Sequence, residues 1–149
     1  MKKIWTFIIS KSLSDEEINK LIKHGEEFVS NWTSHENSLN ASFKIYKNRI
    51  ILVEVNEQQY QASGCSIDKL TRFLKEIEKI FNIELLNRLL VAYKSDEKIE
   101  VVHSSKIKEL LNTNKINPNT IVYNTAIAHE NDFNNWEEPI KNSWLKKYI

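Results

Sequence analysis

Apolar positions along the chain come in short runs whose period changes from strand-like to helix-like. Trp5 to Ile9 is a compact β-rich run and predicts a first, buried strand. Ser14-Asp15-Glu16-Glu17 reads as a helix start: Ser14 caps, and Glu17 completes a capping box. Ile18, Leu21, Ile22, Phe28 and Val29 then form an apolar stripe that fades near Trp32, before the polar stretch Thr33 to Asn40. Phe43 and Ile45 alternate with Ser42, Lys44 and Tyr46, which suits a half-buried strand. Lys47-Asn48 suits a tight turn, since Asn tolerates positive φ, and Ile50 to Val55 is a second β-branched run. The pair predicts a hairpin.

Asn56 to Ser63 is polar and predicts a loop. A second helix is expected from about Ser66 to Phe81, with Ile67, Leu70, Phe73, Leu74, Ile77 and Phe81 on one face. Leu89 to Tyr93 predicts a fourth strand. The order βαββαβ is that of a split βαβ, so the expectation is an α+β protein with a ferredoxin-like core. The remainder predicts a weak strand (Ile99 to Val102), a short helix (Ser105 to Leu111), a turn at Asn117-Pro118 and a strand (Thr120 to Ile127). Trp136, Pro139 and Trp144 mark a Trp-rich end, expected to pack on the core because indole surface is costly to leave in water. Residues 1–149 are thus expected to form one domain, with a core over about 1–94 and an α/β extension over about 95–149.

Charge narrows the function classes. Lys+Arg number 21 against 20 Asp+Glu, so nothing draws the chain generally to nucleic acid or acidic membranes. No run approaches the ~20 apolar residues of a membrane span. The apolar run before Lys11 is too short for a signal-peptide core, so a cytoplasmic location is expected. A single cysteine, Cys65, excludes an intrachain disulfide and a multi-cysteine metal cage. His24, His35, His103 and His129 are scattered, and neither a metal nor a cofactor is expected. Gly25 and Gly64 are the only glycines, and there is no phosphate loop, no dinucleotide fingerprint and no serine-nucleophile elbow.

One stretch looks like a site: Ser63-Gly64-Cys65-Ser66, just before the second amphipathic helix. Free amides and the positive end of the helix dipole favour an anion there, or a thiolate on Cys65. Gly64 suggests a special backbone angle or a close approach. In a split βαβ the first helix ends at the edge where the second begins, so Trp32 and His35 are expected beside Ser63 to Ser66. Arg49, in the hairpin, is expected at the opposite edge as a surface or partner-facing charge. Asp68 is expected to complement the helix dipole.

Three readings follow. In the first, the chain is a ligand-, anion- or partner-binding accessory module, with Ser63, Gly64, Ser66, Trp32 and Asp68 around the ligand. In the second it is a cysteine-dependent enzyme, with Cys65 as nucleophile and His35 as base. In the third it is a structural protein that forms a homodimer through its sheet or its Trp-rich tail.

Several segments together also resemble a known group. Asn31-Trp32-Thr33-Ser34-His35, Ala41-Ser42-Phe43, Asn48-Arg49, Ala62-Ser63-Gly64-Cys65-Ser66-Ile67-Asp68-Lys69, Trp136-Glu137-Glu138-Pro139 and Ser143-Trp144 are similar to a family of small bacterial proteins often labelled "ABC transporter ATPase". The resemblance spans nearly the whole chain, and its marked positions fall on Trp32, His35, Arg49, Ser63, Gly64, Cys65, Asp68 and Trp144. It departs where Tyr123-Asn124-Thr125 replaces Phe-Asn-Asn and where Leu145 replaces a histidine. Without a phosphate loop, the label implies at most an accessory protein.

Overall fold

A computed structural model describes residues 1–149. It is an α+β protein built on antiparallel sheets. Strand β1 (Lys2–Ile8) leads to helix α1 (Asp15–Ser30). The predicted capping box starts that helix: Glu17 N donates to Ser14 Oγ at 3.1 Å, and Ser14 N to Glu17 Oε1 at 3.0 Å. A two-residue ladder, β2 (Thr33–Ser34) with β3 (Asn37–Ser38), occupies the polar stretch and precedes β4 (Asn40–Tyr46) and β5 (Ile50–Asn56). Lys47 and Asn48 take φ of 48° and 62° and form the predicted two-residue hairpin turn. Helix α2 (Gly64–Phe81) follows, then β6 (Leu90–Ser95), β7 (Lys98–His103), α3 (Ile107–Asn112), β8 (Ile121–Tyr123) and β9 (Glu137–Pro139). The last residues form short 3₁₀ turns. No helix is long and apolar enough to cross a membrane.

The first sheet has the order β1-β5-β4, so three strands stand as a split βαβ requires. The fourth departs from the ferredoxin-like expectation. β6 pairs instead with β7 and β8, in a second sheet of order β7-β6-β8-β9. The outer edge of β1, where a fourth strand would dock, is already taken. Ile4 N donates to Ala128 O at 2.8 Å, and Lys3 bridges His129. Residues of the predicted strand Thr120 to Ile127 thus divide: three make β8, and the segment beyond it turns back to cover β1.

Alternation explains the layering. Along β5, Ile51, Val53 and Val55 face α1 and α2 in one core, while Ile50 and Leu52 face a second core. Phe7 and Ile9 join the first core, and Ile4 and Ile8 the second. The second sheet closes that side with Ala92, Ile99 and Tyr123, and Trp136 packs there, whereas Trp144 of the same Trp-rich end stays exposed, contrary to the expectation for an indole. Its own far face, through Val91 and Val122, packs on Ile107, Ile116, Ile140 and Leu145. The result is helices, sheet, sheet, and a last layer of α3 with the 3₁₀ turns.

The two glycines behave differently. Gly25 is buried on α1, and a Cβ there would fall inside the Phe43 ring. Gly64 has an ordinary φ and open space around it, so the special angle or close approach expected of it is not found. Gly25→Ala is therefore expected to destabilise by about 1–3 kcal/mol despite alanine's better helix propensity, since overpacking outweighs it. Gly64→Ala should leave the denaturation midpoint unchanged or slightly raised. Chemical denaturation of both variants checks the contrast.

Tyr123 is fully buried, and its hydroxyl has no hydrogen-bond partner. Burial, helped by nearby Tyr46 and Glu137, pushes the phenol pKa up. A raised folded pKa contributes stability that is complete below the unfolded tyrosine value of about 10 and is lost as the pH rises beyond it. Tyr123→Phe removes an unsatisfied polar group and should stabilise by about 1 kcal/mol. It should also flatten the alkaline loss of stability, measured as thermal melts at about pH 8 and about pH 10.5.

Candidate functional site

Helix α2 begins in a reciprocal cap. Ser66 N donates to Ser63 Oγ at 3.2 Å, and Ser63 N to Ser66 Oγ at 2.6 Å. The Ser66 hydroxyl also donates to Ser63 O at 2.8 Å, and Ser66 is fully buried. Its carbonyl accepts the Trp32 indole N–H at 2.8 Å. Lys69 Nζ reaches Thr33 Oγ1 at 3.2 Å. The end of α1 and the start of α2 therefore share an edge, as the strand order requires.

The edge is held from inside. Trp32, 1% exposed, lies between Trp5 and Phe28, with ring centroids 5.8 and 5.2 Å away, and spends its one polar atom on Ser66. Trp32 and Ser66 thus build the edge, while Gly64, Cys65, Asp68 and His35 stand exposed on it. Ile67 N returns to Ser63 O, the first bond of the helix, so the amides of Gly64 and Cys65 donate to no protein acceptor. Asp68 follows the first turn and makes no ion pair.

His35 sits in the turn between β2 and β3, where His35 and Glu36 both adopt left-handed φ of 52° and 71°. That turn and the loop before α2 enclose a recess of about 340 Å³, lined by Ser34, His35, Asn37, Tyr60, Ala62 and Ser63 among others. The Cys65 thiol makes no hydrogen bond, to His35 or to anything else, and does not line this recess. No three His, Cys, Asp or Glu side chains are grouped to hold a metal ion.

Arg49 lies away from this edge, as expected, but it is not the surface charge the sequence suggested. It is only 8% exposed. Its Nη2 and Nε donate to Ile9 O at 3.1 and 3.3 Å, and its Nη1 to Ile99 O at 3.5 Å. The guanidinium therefore ties the end of the first sheet to β7 of the second. Desolvation lowers its pKa, partly offset by Glu100. Arg49→Ala leaves two buried carbonyls unpaired and should destabilise by about 2–4 kcal/mol. Urea denaturation measures this; a loss below ~0.5 kcal/mol, as for a surface substitution, would refute the assignment.

A second cleft was not legible in the sequence. It has a volume of about 700 Å³ and lies between the loop before β6 and the C-terminal turns. Arg88, Asn124, Glu138, Trp144, Lys147 and Tyr148 supply its polar and aromatic groups. Its residues come from five separate segments, and of these Trp144 is a marked position of the family resemblance. Desolvation lowers the Arg88 pKa and raises that of Glu138.

No family model, curated protein or solved structure matches the chain.

Proposed function

We propose that the chain is an accessory binding module whose α2 edge takes a small anion or the anionic group of a larger ligand or partner. One juxtaposition carries the reading. The unpartnered amides of Gly64 and Cys65 directly follow Ser63, which lines a polar recess together with His35. Helix N-terminal amides and an imidazole both favour negative charge. A cytoplasmic location and kinship with the small bacterial family it resembles belong to the same proposal. That family's label then describes an accessory component, because a phosphate loop is missing from the chain. A ferredoxin-like ancestry would agree with the β1-β5-β4 order.

The cysteine-dependent reading is favoured only by the exposure of Cys65 near a helix start. It lacks a hydrogen bond from thiol to base. The binding reading predicts that Cys65→Ser leaves anion binding intact.

The test is an amide-resolved NMR titration with inorganic phosphate and with sulfate. Saturable shifts at Gly64, Cys65 and His35 are expected, with a dissociation constant of about 1 mM, or roughly −4 kcal/mol. His35→Ala should weaken binding about threefold to tenfold, and Cys65→Ser should not. Linear shifts spread over the surface, or loss of binding in Cys65→Ser, would sink the proposal.

A further inference from the structure

The α2 edge and the 700 Å³ cleft share no lining residue, so the cleft is a separate place in the fold. Its volume falls in the range of small-molecule sites, about 300–1,000 Å³. Hydrogen bonds within the chain tie its walls to the rest of the fold. Thr6 Oγ1 donates to Thr125 O at 2.9 Å, which ties the Asn124–Ala126 wall to β1. Ser104 N donates to Leu89 O at 2.8 Å, which holds the opposite loop. Ser143 caps the last 3₁₀ turn through Leu145 N at 3.0 Å, and the Leu145 side chain is buried in the third core. Trp144 is therefore held at the rim by its neighbours while remaining 44% exposed.

The charged groups that line the cleft make no ion pair, and Arg88 is held in place. Arg88 Nη1 donates to Thr6 O at 2.7 Å, and the guanidinium carbon lies 4.9 Å from the centre of the Phe7 ring. These contacts orient the fork and use one of its five N–H donors. No carboxylate pairs with it. The Glu138 side chain, which also lines the cleft, takes no hydrogen bond and no cation, and Lys147 makes no ion pair either. Seven of the 13 lining residues are hydrophobic, including Leu90, Val91, Ala126 and Leu145.

We propose that this cleft binds a small organic carboxylate with an apolar or aromatic body, its carboxylate on Arg88 and its body against Trp144. A planar guanidinium fork matches a carboxylate in two bonds. The apolar walls and half-exposed indole fit a hydrophobic body better than a bare inorganic ion. Glu138 disfavours multiply charged anions, because Arg88 and Lys147 together exceed its charge by only one.

The probe is indole-3-propionate, titrated into isotope-labelled protein, with indole and tryptamine as its carboxylate-free counterparts. Saturable shifts are expected at the Trp144 indole N–H and at the amides of Thr125 and Leu145. Binding should exceed that of both counterparts and weaken about tenfold in Arg88→Gln, the order of one charge-assisted bidentate contact. Glu138→Gln should tighten it, since a repelling carboxylate is removed. If Arg88→Gln melts early because Thr6 O loses its donor, Trp144→Ala tests the cleft instead: at an exposed position it should keep the melting temperature and lose the probe. Equal binding by indole, a folded Arg88→Gln with unchanged affinity, or no shift at the solubility limit of the probe would each overturn the proposal. So would shifts on this face that follow protein concentration rather than probe, the signature of a second copy covering Trp144.

Discussion

Burial of β5 on both faces is the constraint from which the rest of the architecture follows. Ile50, Ile51, Val53 and Val55 are all fully buried, and consecutive residues face opposite sides. Each such side chain gains about 1.5–3 kcal/mol on leaving water. One sheet face is satisfied by α1 and α2. The other also carries Ile4, Ile8 and Leu52, and without a cover it would be a large exposed apolar patch. The C-terminal third is the cover, and its strands form a second sheet because they must lie across that face.

Three polar contacts fix how the two sheets meet. Arg49 joins Ile9 O to Ile99 O, Thr6 joins β1 to Thr125, and Arg88 joins the loop before β6 back to Thr6. Each satisfies backbone carbonyls that would otherwise be left at a sheet junction, where water is scarce. These contacts explain why β6 does not extend the first sheet. The β1 edge is spent on Ala128 and His129, and the Thr6 carbonyl takes the Arg88 guanidinium.

Two recesses lie in different parts of the fold. On the helical side, α1 ends and α2 begins together, and Trp32 and Ser66 lock them, leaving Gly64, Cys65 and His35 on the surface. On the far side, the C-terminal turns do not fully close over the loop that carries Arg88. That leaves a cleft with an oriented guanidinium and an exposed indole. The first place is polar and backbone-built. The second is half apolar and built from side chains.

Local features were determined by the sequence because short-range physics decides them. The Ser14 capping box, the Lys47-Asn48 turn, the α2 stripe and the shared edge of Trp32 with Ser63 to Ser66 depend on neighbours in the chain or on simple strand order. The run Ile50 to Val55 was legible as a β-branched strand, but its burial on both faces was not read from it. What covers the second face was beyond it, and so was the destination of β6. That choice rests on a long-range pairing at the β1 edge, and Ala128 is more than a hundred residues from its partner Ile4. Only the tertiary structure could turn Arg49 from a hairpin charge into a buried staple, because its acceptors lie 40 and 50 residues away. Only it could bring Arg88, Glu138 and Trp144 to one cleft, because nothing in their local spacing links a loop, an edge strand and a terminal turn.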